Sequence, residues 1–345
     1  MSPSQTLLHE TPIRTRPWAA TAIIFAGLLA IVFGIGASIV TGVANISFST
    51  VWYSIVAYDA SNDHHVIIQQ LRMPRALAGV LVGAAFAVAG AIMQGMTRNP
   101  IADTGLLGIN AGAGFVIVLV FAFVPWLPFK FIILFSFLGA GLGALLVYGI
   151  AFMSRGGLSP LKLVLAGAVV GSLITGVSQA LSLLFQIHYD LAFWSAGGIS
   201  TAEWFQVSVM LPWIIGGLIA AMLISRSITV LSLGEDVAAG LGQRTRLVKG
   251  IGTVVVMVLA GASVSTVGGV GFIGLIIPHM VRFLVGVDYR WIIPCSAIMG
   301  GTLVVFADIG AKLIALPYET PLGAIIAVLG VPFFLYLARK ERREL

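Results

Sequence analysis

Long runs of apolar residues recur along the whole chain and constrain its fold more than any other feature. An α-helix rises about 1.5 Å per residue, so a run of about 20 residues crosses a hydrocarbon core about 30 Å thick. Because lipid offers the backbone no hydrogen-bond partner, a segment that crosses it must satisfy its own polar groups, as a helix does. The sequence therefore predicts an all-α, polytopic membrane protein with about ten transmembrane helices in a compact bundle. The predicted spans cover residues 19–43, 76–96, 106–124, 131–153, 163–187, 205–224, 250–267, 272–287, 291–315 and 322–338.

The composition agrees with a lipid environment. Charged residues make up 9% of the chain and hydrophobic residues 59%, whereas about a quarter of a soluble domain is charged. The net charge of +6 could indicate nucleic-acid binding, but the cations are scattered between apolar runs instead of forming one face with interleaved aromatic residues. We therefore expect membrane lipid as a partner and no nucleic acid. The one cysteine, Cys295, lies in an apolar run and cannot form an internal disulfide.

The distribution of Lys and Arg predicts the orientation in the membrane. An even number of spans puts both termini on one side, and short cytoplasmic loops are enriched in cations. With both termini in the cytoplasm, roughly fifteen of the 19 cations fall in inner segments. The outer segments carry Arg72, Arg75, Lys130 and Lys312. We therefore expect a multi-pass protein of the bacterial cytoplasmic membrane. Its expected parts are a cytoplasmic tail (1–17), a transmembrane domain (18–338) and a basic cytoplasmic tail (339–345).

Several polar residues fall inside predicted spans. Pro278, His279 and Arg282 interrupt the eighth apolar run. They predict a broken helix that protein or water must shield. Gln94 and Asp308 either face water or form hydrogen bonds between helices, and the sequence leaves both alternatives open.

Motifs for nucleotide chemistry, metal binding and hydrolysis are missing from the sequence. It contains no G-x-x-x-x-G-K-[ST] segment to bind phosphates, so any energy from ATP must arrive through a partner. Residues 269–274 read GVGFIG, but the dinucleotide fingerprint needs a strand before it, and here it joins two spans. The five histidines show no ligand spacing, and no Ser/His/Asp set can be assembled. We therefore expect a protein that is not an enzyme, with no cofactor and no metal site.

The largest polar inner segment, residues 225–249, contains the sequence LSLGEDVAAGLGQ. Glu235 and Asp236 lie in the first turn of a predicted short helix, where negative charge favours the helix dipole, and two later glycines suit its end. These features alone leave two alternatives open: a docking site for a protein partner, or a solvated connector.

The segment LGEDVAAGLG resembles the L-G-[ED]-[ED]-V-A-x-x-L-G motif of the FecCD-type permeases of iron-siderophore, haem and cobalamin importers. Further blocks resemble the family in the same order, over nearly all of the chain after the first span. These blocks are LRMPR (71–75), GAAFAVAGAIMQ (83–94), RNPIADTGLLG (98–108), GLSPLKLVLAG (157–167), FWSAG (193–197), GFIGLIIPHMVRFL (271–284) and GVPFFL (330–335). The resemblance implies the fold of a type II ABC importer permease.

The resemblance also implies partners and site residues. The family pairs two permease subunits, identical or paralogous, with ATP-binding ABC subunits below and an extracytoplasmic substrate-binding protein above. Its binding-protein docking positions fall on Arg72, Arg75 and Lys312. Its ATPase-coupling positions fall on Leu233, Gly234, Glu235, Asp236, Val237, Ala238, Leu241 and Gly242. Its translocation-gate positions fall on Asn99, Ile101, Ser159, Pro160 and Leu161.

Simpler roles remain open for some of these residues. Lys312 stands where the family has Arg, and a lysine lacks the planar fork that grips a carboxylate with two hydrogen bonds. Arg72 and Arg75 could instead extend to the membrane interface, and the gate residues could be helix caps and turns.

The cargo is predicted from three local features: HHVIIQQLRMPR from His64, FQIHYDLAFW from Phe185 and YETP from Tyr318. They resemble the ferric-siderophore branch of the family, particularly its Gram-positive members. Haem or cobalamin is the alternative within the family. An ion-coupled secondary transporter that uses Asp308 or His279 as a protonation site is the alternative from a different class.

Overall fold

The computed structural model describes residues 15–42, 46–153, 160–187, 198–314 and 320–341, and within these ranges the chain is helical and contains no strand. The FWSAG block at 193–197 and Tyr318 lie outside the described residues, as do residues 1–14 and 342–345 of the two predicted tails. In chain order the helices are α1 (Pro17–Val40), α2 (Phe48–Val56), α3 (Asp63–Ile67), α4 (Met73–Thr97), α5 (Ile109–Phe123), α6 (Phe129–Met153), α7 (Pro160–Leu184), α8 (Trp204–Ser232), α9 (Glu235–Gly240), α10 (Thr245–Val267), α11 (Ile273–Val285), α12 (Tyr289–Ile314) and α13 (Leu322–Glu341). A π-helical turn, Ile68–Arg72, joins α3 to α4 without a break.

The predicted spans correspond to apolar helices. Within the described ranges, seven helices are long and apolar enough to cross a membrane, and three more apolar helices are shorter. The shorter ones are α5, α11 and the apolar part of α13, Leu322–Leu335. Each predicted span overlaps one of these helices, which confirms the all-α, polytopic fold. The sixth span is longer than predicted, because α8 continues to Ser232.

Helix α4 lies at the centre of the bundle, with 83% of its most apolar window buried against α8, α10, α11 and α12. Glycines allow this close packing. A Cβ atom on Gly83 would lie 2.2 Å from the carbonyl oxygen of Gly300 in α12, and one on Gly90 would lie 2.0 Å from that of Gly274 in α11. We call these four residues the glycine seam. No larger side chain fits there without moving a backbone, and such small-residue contacts are the usual means of tight helix packing in membranes.

The eighth span is not broken, contrary to the sequence-based prediction. Helix α11 continues through Pro278. A proline has no N–H, so the carbonyl oxygen of Gly274, four residues earlier, loses its helical partner. The side chain of Gln94 in α4 replaces it, because Gln94 Nε2 donates to the carbonyl oxygens of Gly274 (3.1 Å) and Leu275 (3.3 Å). Arg282 Nη2 in turn donates to Gln94 Oε1 at 2.8 Å. Gln94 therefore forms hydrogen bonds between helices, one of the two alternatives left open.

Helix α1 lies at the edge of the bundle, with only 22% of its most apolar window buried. It packs mainly along α12 and exposes Phe25, Leu29 and Phe33 on its other side. A side of this composition on a membrane helix is suited to lipid contact.

Candidate functional site

The predicted docking cations come together at the end of the bundle where α1 and α12 end and α4 begins. We call this group, Ser38, Arg72, Arg75, Asp308 and Lys312, the outer cluster. Asp308 connects its members: Oδ1 accepts from Arg75 Nε at 2.9 Å, and Oδ2 lies 2.9 Å from Lys312 Nζ. The hydroxyl of Ser38 donates to Asp308 Oδ2 at 3.2 Å and accepts from Lys312 Nζ at 2.8 Å. These contacts join α1, α4 and α12.

Burial distinguishes the three cations from one another. Arg75 is 7% exposed, Lys312 6% and their shared partner Asp308 2%, so an ion pair between helices explains the polar residue in the ninth span. Arg72 is only half-buried, and its guanidinium donates to the carbonyl oxygens of Ile39 and, at 3.1 Å, Val40. These are among the last carbonyls of α1, which have no partner within their own helix. The docking role of the three cations stays a prediction.

The predicted coupling residues form the short helix α9 and its two flanks. Leu233, Val237 and Leu241 are 50%, 50% and 69% exposed, while Ala238 is fully buried. Val237 and Leu241 are four residues apart and lie on the same side of α9, while Leu233 precedes the helix on its N-terminal flank. We call these three exposed apolar side chains the coupling stripe. Exposed apolar stripes of this kind commonly dock into a groove on another protein.

The ends of α9 are defined by glycine. Gly234 precedes it with φ +136°, a conformation that other residues rarely adopt. At the other end, Gly242 has φ +81° and its N–H donates to Ala239 O, while Gln243 N donates to Ala238 O. This pair of hydrogen bonds around a left-handed glycine is a Schellman motif. Of the two glycines expected to end the helix, Gly242 terminates it and Gly240 is its last residue.

Two contacts around the coupling helix were missed from the sequence. Lys249 in α10 forms an ion pair with Glu235, although the two residues are 14 positions apart. Both side chains are substantially exposed, so the pair contributes less than about 1 kcal/mol and mainly orients α9. Gln243 Nε2 also donates to Ser227 O at 2.8 Å, which ties the end of the segment to α8. No local sequence pattern brings these residues together.

The first predicted gate segment follows α4 in a tight turn. Asn99 Oδ1 accepts from Ile101 N at 3.0 Å, and Asn99 O accepts from Ala102 N at 3.1 Å. Such a turn agrees with the simple capping role, and the gate role stays a prediction. In the second segment, Ser159 lies outside the described residues, while Pro160 and Leu161 begin α7.

Arg98 lies between the gate turn and Gly234, the residue that precedes the coupling helix. It ends α4 in a left-handed conformation, φ 52°, directly before Asn99. Its Nη1 lies 3.7 Å from the position that a Cβ of Gly234 would occupy. The sequence analysis placed Arg98 in the block RNPIADTGLLG (98–108), but no local pattern shows that it lies beside a residue more than 130 positions away.

Near the coupling helix, polar contacts of Asp288 hold the C-terminal end of α8 against the start of α12. Asp288 Oδ2 accepts from Arg290 Nη2 at 2.7 Å, and Asp288 Oδ1 accepts from Thr229 Oγ1 at 3.3 Å. Burial alone would raise the pKa of Asp288, but these hydrogen bonds and the charge of Arg290 outweigh it and hold the pKa below its ordinary value. The carboxyl group is therefore ionised at neutral pH.

Helix α7 carries an unusual exposed face for an apolar span. Small and polar residues follow one another at helical spacing on it, next to an apolar row that includes Leu165, Val169 and Leu173. We call the first face the polar stripe. Its members are Ala168, Ser172, Thr175, Gly176 and Gln179, which are exposed. An amide such as that of Gln179 is costly to place in lipid, so this face is suited to water or to another protein.

Nothing in the described part of the chain points to nucleotide or metal chemistry. The GVGFIG sequence joins α10 to α11 and no strand precedes it. In the same part of the chain, no group of three or more His, Cys, Asp or Glu side chains could hold a metal ion.

Comparisons with known proteins agree on one family. The model of the FecCD transport family matches residues 28–340. The chain is 50% identical over 341 residues to the iron(3+)-hydroxamate import system permease protein FhuB of Bacillus subtilis (strain 168), which covers 99% of this chain and 89% of the relative. It is 41% identical over 315 residues to the Fe(3+)-citrate import system permease protein YfmD of the same organism, covering 91% and 93% of the two chains. A solved structure described as an inward-facing metal-chelate type ABC transporter is 25% identical, with a TM-score of 0.80 over 93% of this chain and 99% of the other.

Proposed function

Because the chain belongs to the FecCD transport family, we propose that it is the membrane-spanning permease of an ATP-driven importer of ferric siderophores. The observation that carries this proposal is the 50% identity, over nearly the whole chain, to a permease for iron(3+)-hydroxamate. A hydroxamate siderophore is therefore the cargo class that we propose first.

The energy for transport comes, in this proposal, from separate ATP-binding subunits that grip the coupling stripe. The stripe supports this because it presents three large apolar side chains that the described chain leaves uncovered. The short helix is held firmly at both ends by Gly234 and by the Schellman motif around Gly242. A short helix with fixed ends transmits a movement of the ATP-binding subunit to the membrane helices better than a solvated connector does. The proposal places this end of the bundle, and both termini, in the cytoplasm, in agreement with the cation distribution.

The outer cluster is the proposed docking point for an extracytoplasmic binding protein. Arg72 is the most accessible of its three cations and makes the first contact with a partner carboxylate. Arg75 and Lys312 lie behind it, and because they share the single carboxylate of Asp308, the cluster keeps a net positive charge. Since exposed charges act over about 8–10 Å at physiological salt, the cluster steers an acidic partner surface without full exposure of each cation.

The translocation path is proposed to run along the polar stripe of α7, between this chain and a second permease subunit. A chelate needs a neutral, hydrated passage, and the small and hydroxyl-bearing residues of the stripe provide one without a strong binding site. The gate residues Asn99, Ile101, Ser159, Pro160 and Leu161 would close this path at its cytoplasmic end. Pro160 and Leu161 begin the same helix that carries the stripe, which supports this placement.

Reconstitution tests the proposal. The chain is placed in liposomes with candidate ATP-binding subunits and a binding protein, and uptake of labelled ferric hydroxamate, haemin and cobalamin is compared. We expect ATP turnover and uptake with the ferric hydroxamate only. Uptake of haemin or cobalamin instead would move the chain to another branch of its family.

The same liposomes separate this proposal from an ion-coupled transporter. The chain without its partners is given a proton gradient and no ATP, and we expect no uptake. Accumulation of cargo under these conditions, abolished by Asp308→Asn or His279→Gln, would replace the proposed mechanism with ion coupling.

A further inference from the structure

The short helix α2 presents an apolar side that no described part of the chain covers. Its buried residues are Val51 and Ser54. The large side chains on the rest of its surface are between 53% and 65% exposed. They are Phe48, Trp52, Tyr53, Ile55 and Val56. No charged residue occurs from Ile46 to Tyr58.

The packing of α2 fixes its level relative to the membrane span α1. Val51 packs in a buried cluster with Ile39, in the last turn of α1. The ring of Phe48 reaches further, with Cε1 3.9 Å from the position of a Cβ on Gly36. Four residues of helix correspond to about 6 Å, so Phe48 lies about one turn below the end of α1, at the depth where a spanning helix leaves the hydrocarbon.

Helix α2 packs against α1, whose exposed side carries Phe25, Leu29 and Phe33, and its own exposed side carries Trp52 and Tyr53. Tryptophan and tyrosine concentrate at the level of the lipid headgroups, where an apolar ring and a polar group are both satisfied. Aliphatic side chains beside them extend into the acyl chains, as in helices that lie along a membrane surface. We infer that α2 is an interfacial helix whose exposed side is covered by the headgroup layer of the lipid bilayer.

This anchor positions the outer cluster. Gln69, in the π-helical turn, donates through Nε2 to Ser54 O of α2 at 2.9 Å. The carbonyl oxygen of Gln69 accepts from Trp204 Nε1, at the start of α8, at 2.6 Å. Arg72 follows Gln69 by three residues, within the same turn. The depth of α2 in the headgroup layer therefore sets the height of Arg72 above the membrane.

Nitroxide labels on single cysteines test the inference in the full chain, reconstituted in vesicles of phosphatidylcholine and phosphatidylglycerol. The native cysteine is removed by Cys295→Ala, and labels are placed through Trp52→Cys, Val56→Cys, Ser61→Cys and Leu29→Cys. Oxygen, which enters lipid, and a nickel chelate, which stays in water, report depth through their collision rates. We expect an oxygen-to-chelate ratio at positions 52 and 56 that is several-fold above the Ser61→Cys value and below the Leu29→Cys value.

Two results would overturn the inference. A ratio at positions 52 and 56 equal to that of Ser61→Cys would place the exposed side of α2 in water. Low collision rates with both reagents would show that protein covers the exposed side of α2. That protein is the binding protein if the rates fall only when the binding protein is added, and a second permease subunit otherwise. The double variant Trp52→Glu with Val56→Cys checks whether the label itself draws the helix into the membrane. If the native side chains set the depth, the charge at position 52 should lower the oxygen-to-chelate ratio at position 56 several-fold.

Discussion

Asp308 shows how much a single buried carboxylate can organise. It connects two cations and a serine from three helices, and all but Arg72 of the outer cluster are less than a tenth exposed. Removing one partner of a buried ion pair leaves the other charge without compensation, which costs far more than the loss of a surface pair.

We therefore expect Asp308→Asn to lower the free energy of unfolding by about 3 kcal/mol. Denaturant unfolding of the purified chain in detergent measures this. Glu235→Gln, which breaks the exposed pair with Lys249, is the matched control and should cost less than about 1 kcal/mol. Equal losses in the two variants would contradict the central role of Asp308.

For individual residues, the sequence identified candidate polar residues more readily than it identified their contacts. Arg75, Lys312 and Asp308 were all singled out, but Ser38 was not, because it lies about 270 positions from its partners and serines are ordinary inside membrane helices. Arg98 was recognised as part of a motif, whereas its contact with the coupling helix depends on how α4 and α8 end side by side. Long-range contacts of this kind leave no local signal in one sequence.

Among the elements, the coupling helix α9 connects most directly to the proposed motor. Val237 occupies the middle of the coupling stripe and is half exposed. A buried charge at the centre of a protein interface removes at least about 2 kcal/mol of binding, a roughly 30-fold increase in Kd. We expect this loss of affinity for the ATP-binding subunit in Val237→Asp, measured by surface binding to the reconstituted chain.

Val237→Leu is the control for this change, because it keeps the stripe apolar and should bind as the native chain does. Unchanged affinity in Val237→Asp would show that the stripe faces something other than the ATP-binding subunit.

Arg98 directly precedes the gate turn and lies beside Gly234 at the start of the coupling helix, so it is placed to couple the two. In Arg98→Ala we expect the ATP-binding subunit to bind normally while uptake per ATP hydrolysed falls roughly tenfold, a typical size for coupling between two sites. Parallel measurement of ATP turnover and cargo uptake in the reconstituted importer detects this. Arg98→Lys retains the charge and should lose less. If binding itself fails in Arg98→Ala, the residue supports the fold of α9 and does not transmit its movement.

The long apolar helices were predictable from the sequence, because length and apolar composition define them. Short or interrupted helices were less predictable. Helix α11 was expected to break at Pro278, but Gln94 of another helix satisfies the freed carbonyl, which no local pattern reveals. Helix α2 was not predicted at all, because it has nine residues and lies between two spans. Helix α9 was predicted correctly, since its acidic first turn and its terminal glycines are local signals.

For the molecule as a whole, the polar stripe of α7 marks the side on which we propose that a second subunit and a water-filled path lie. We expect Gln179→Cys, in a Cys295→Ala background, to react with a membrane-impermeant thiol reagent in the assembled importer and to lose uptake once modified. Leu173→Cys, on the apolar row of the same helix, should remain unmodified because it faces lipid.

The reverse pattern, with Leu173→Cys modified and Gln179→Cys protected, would place the path on the other side of α7. The exposed polar residues are visible in the sequence, but their common direction depends on which face of α7 the neighbouring helices leave free, and only the fold shows that.

The glycine seam has a consequence for how such a machine can change shape. At these four glycines backbone meets backbone directly, and there is no space for an added Cβ atom, so we expect α4, α11 and α12 to stay packed together as one unit. In the proposed transport cycle we therefore expect these three helices to move as one rigid unit, with the outer helices moving relative to it. A search for variants that carry new cargo should therefore place substitutions in the outer helices and leave the glycine seam unchanged.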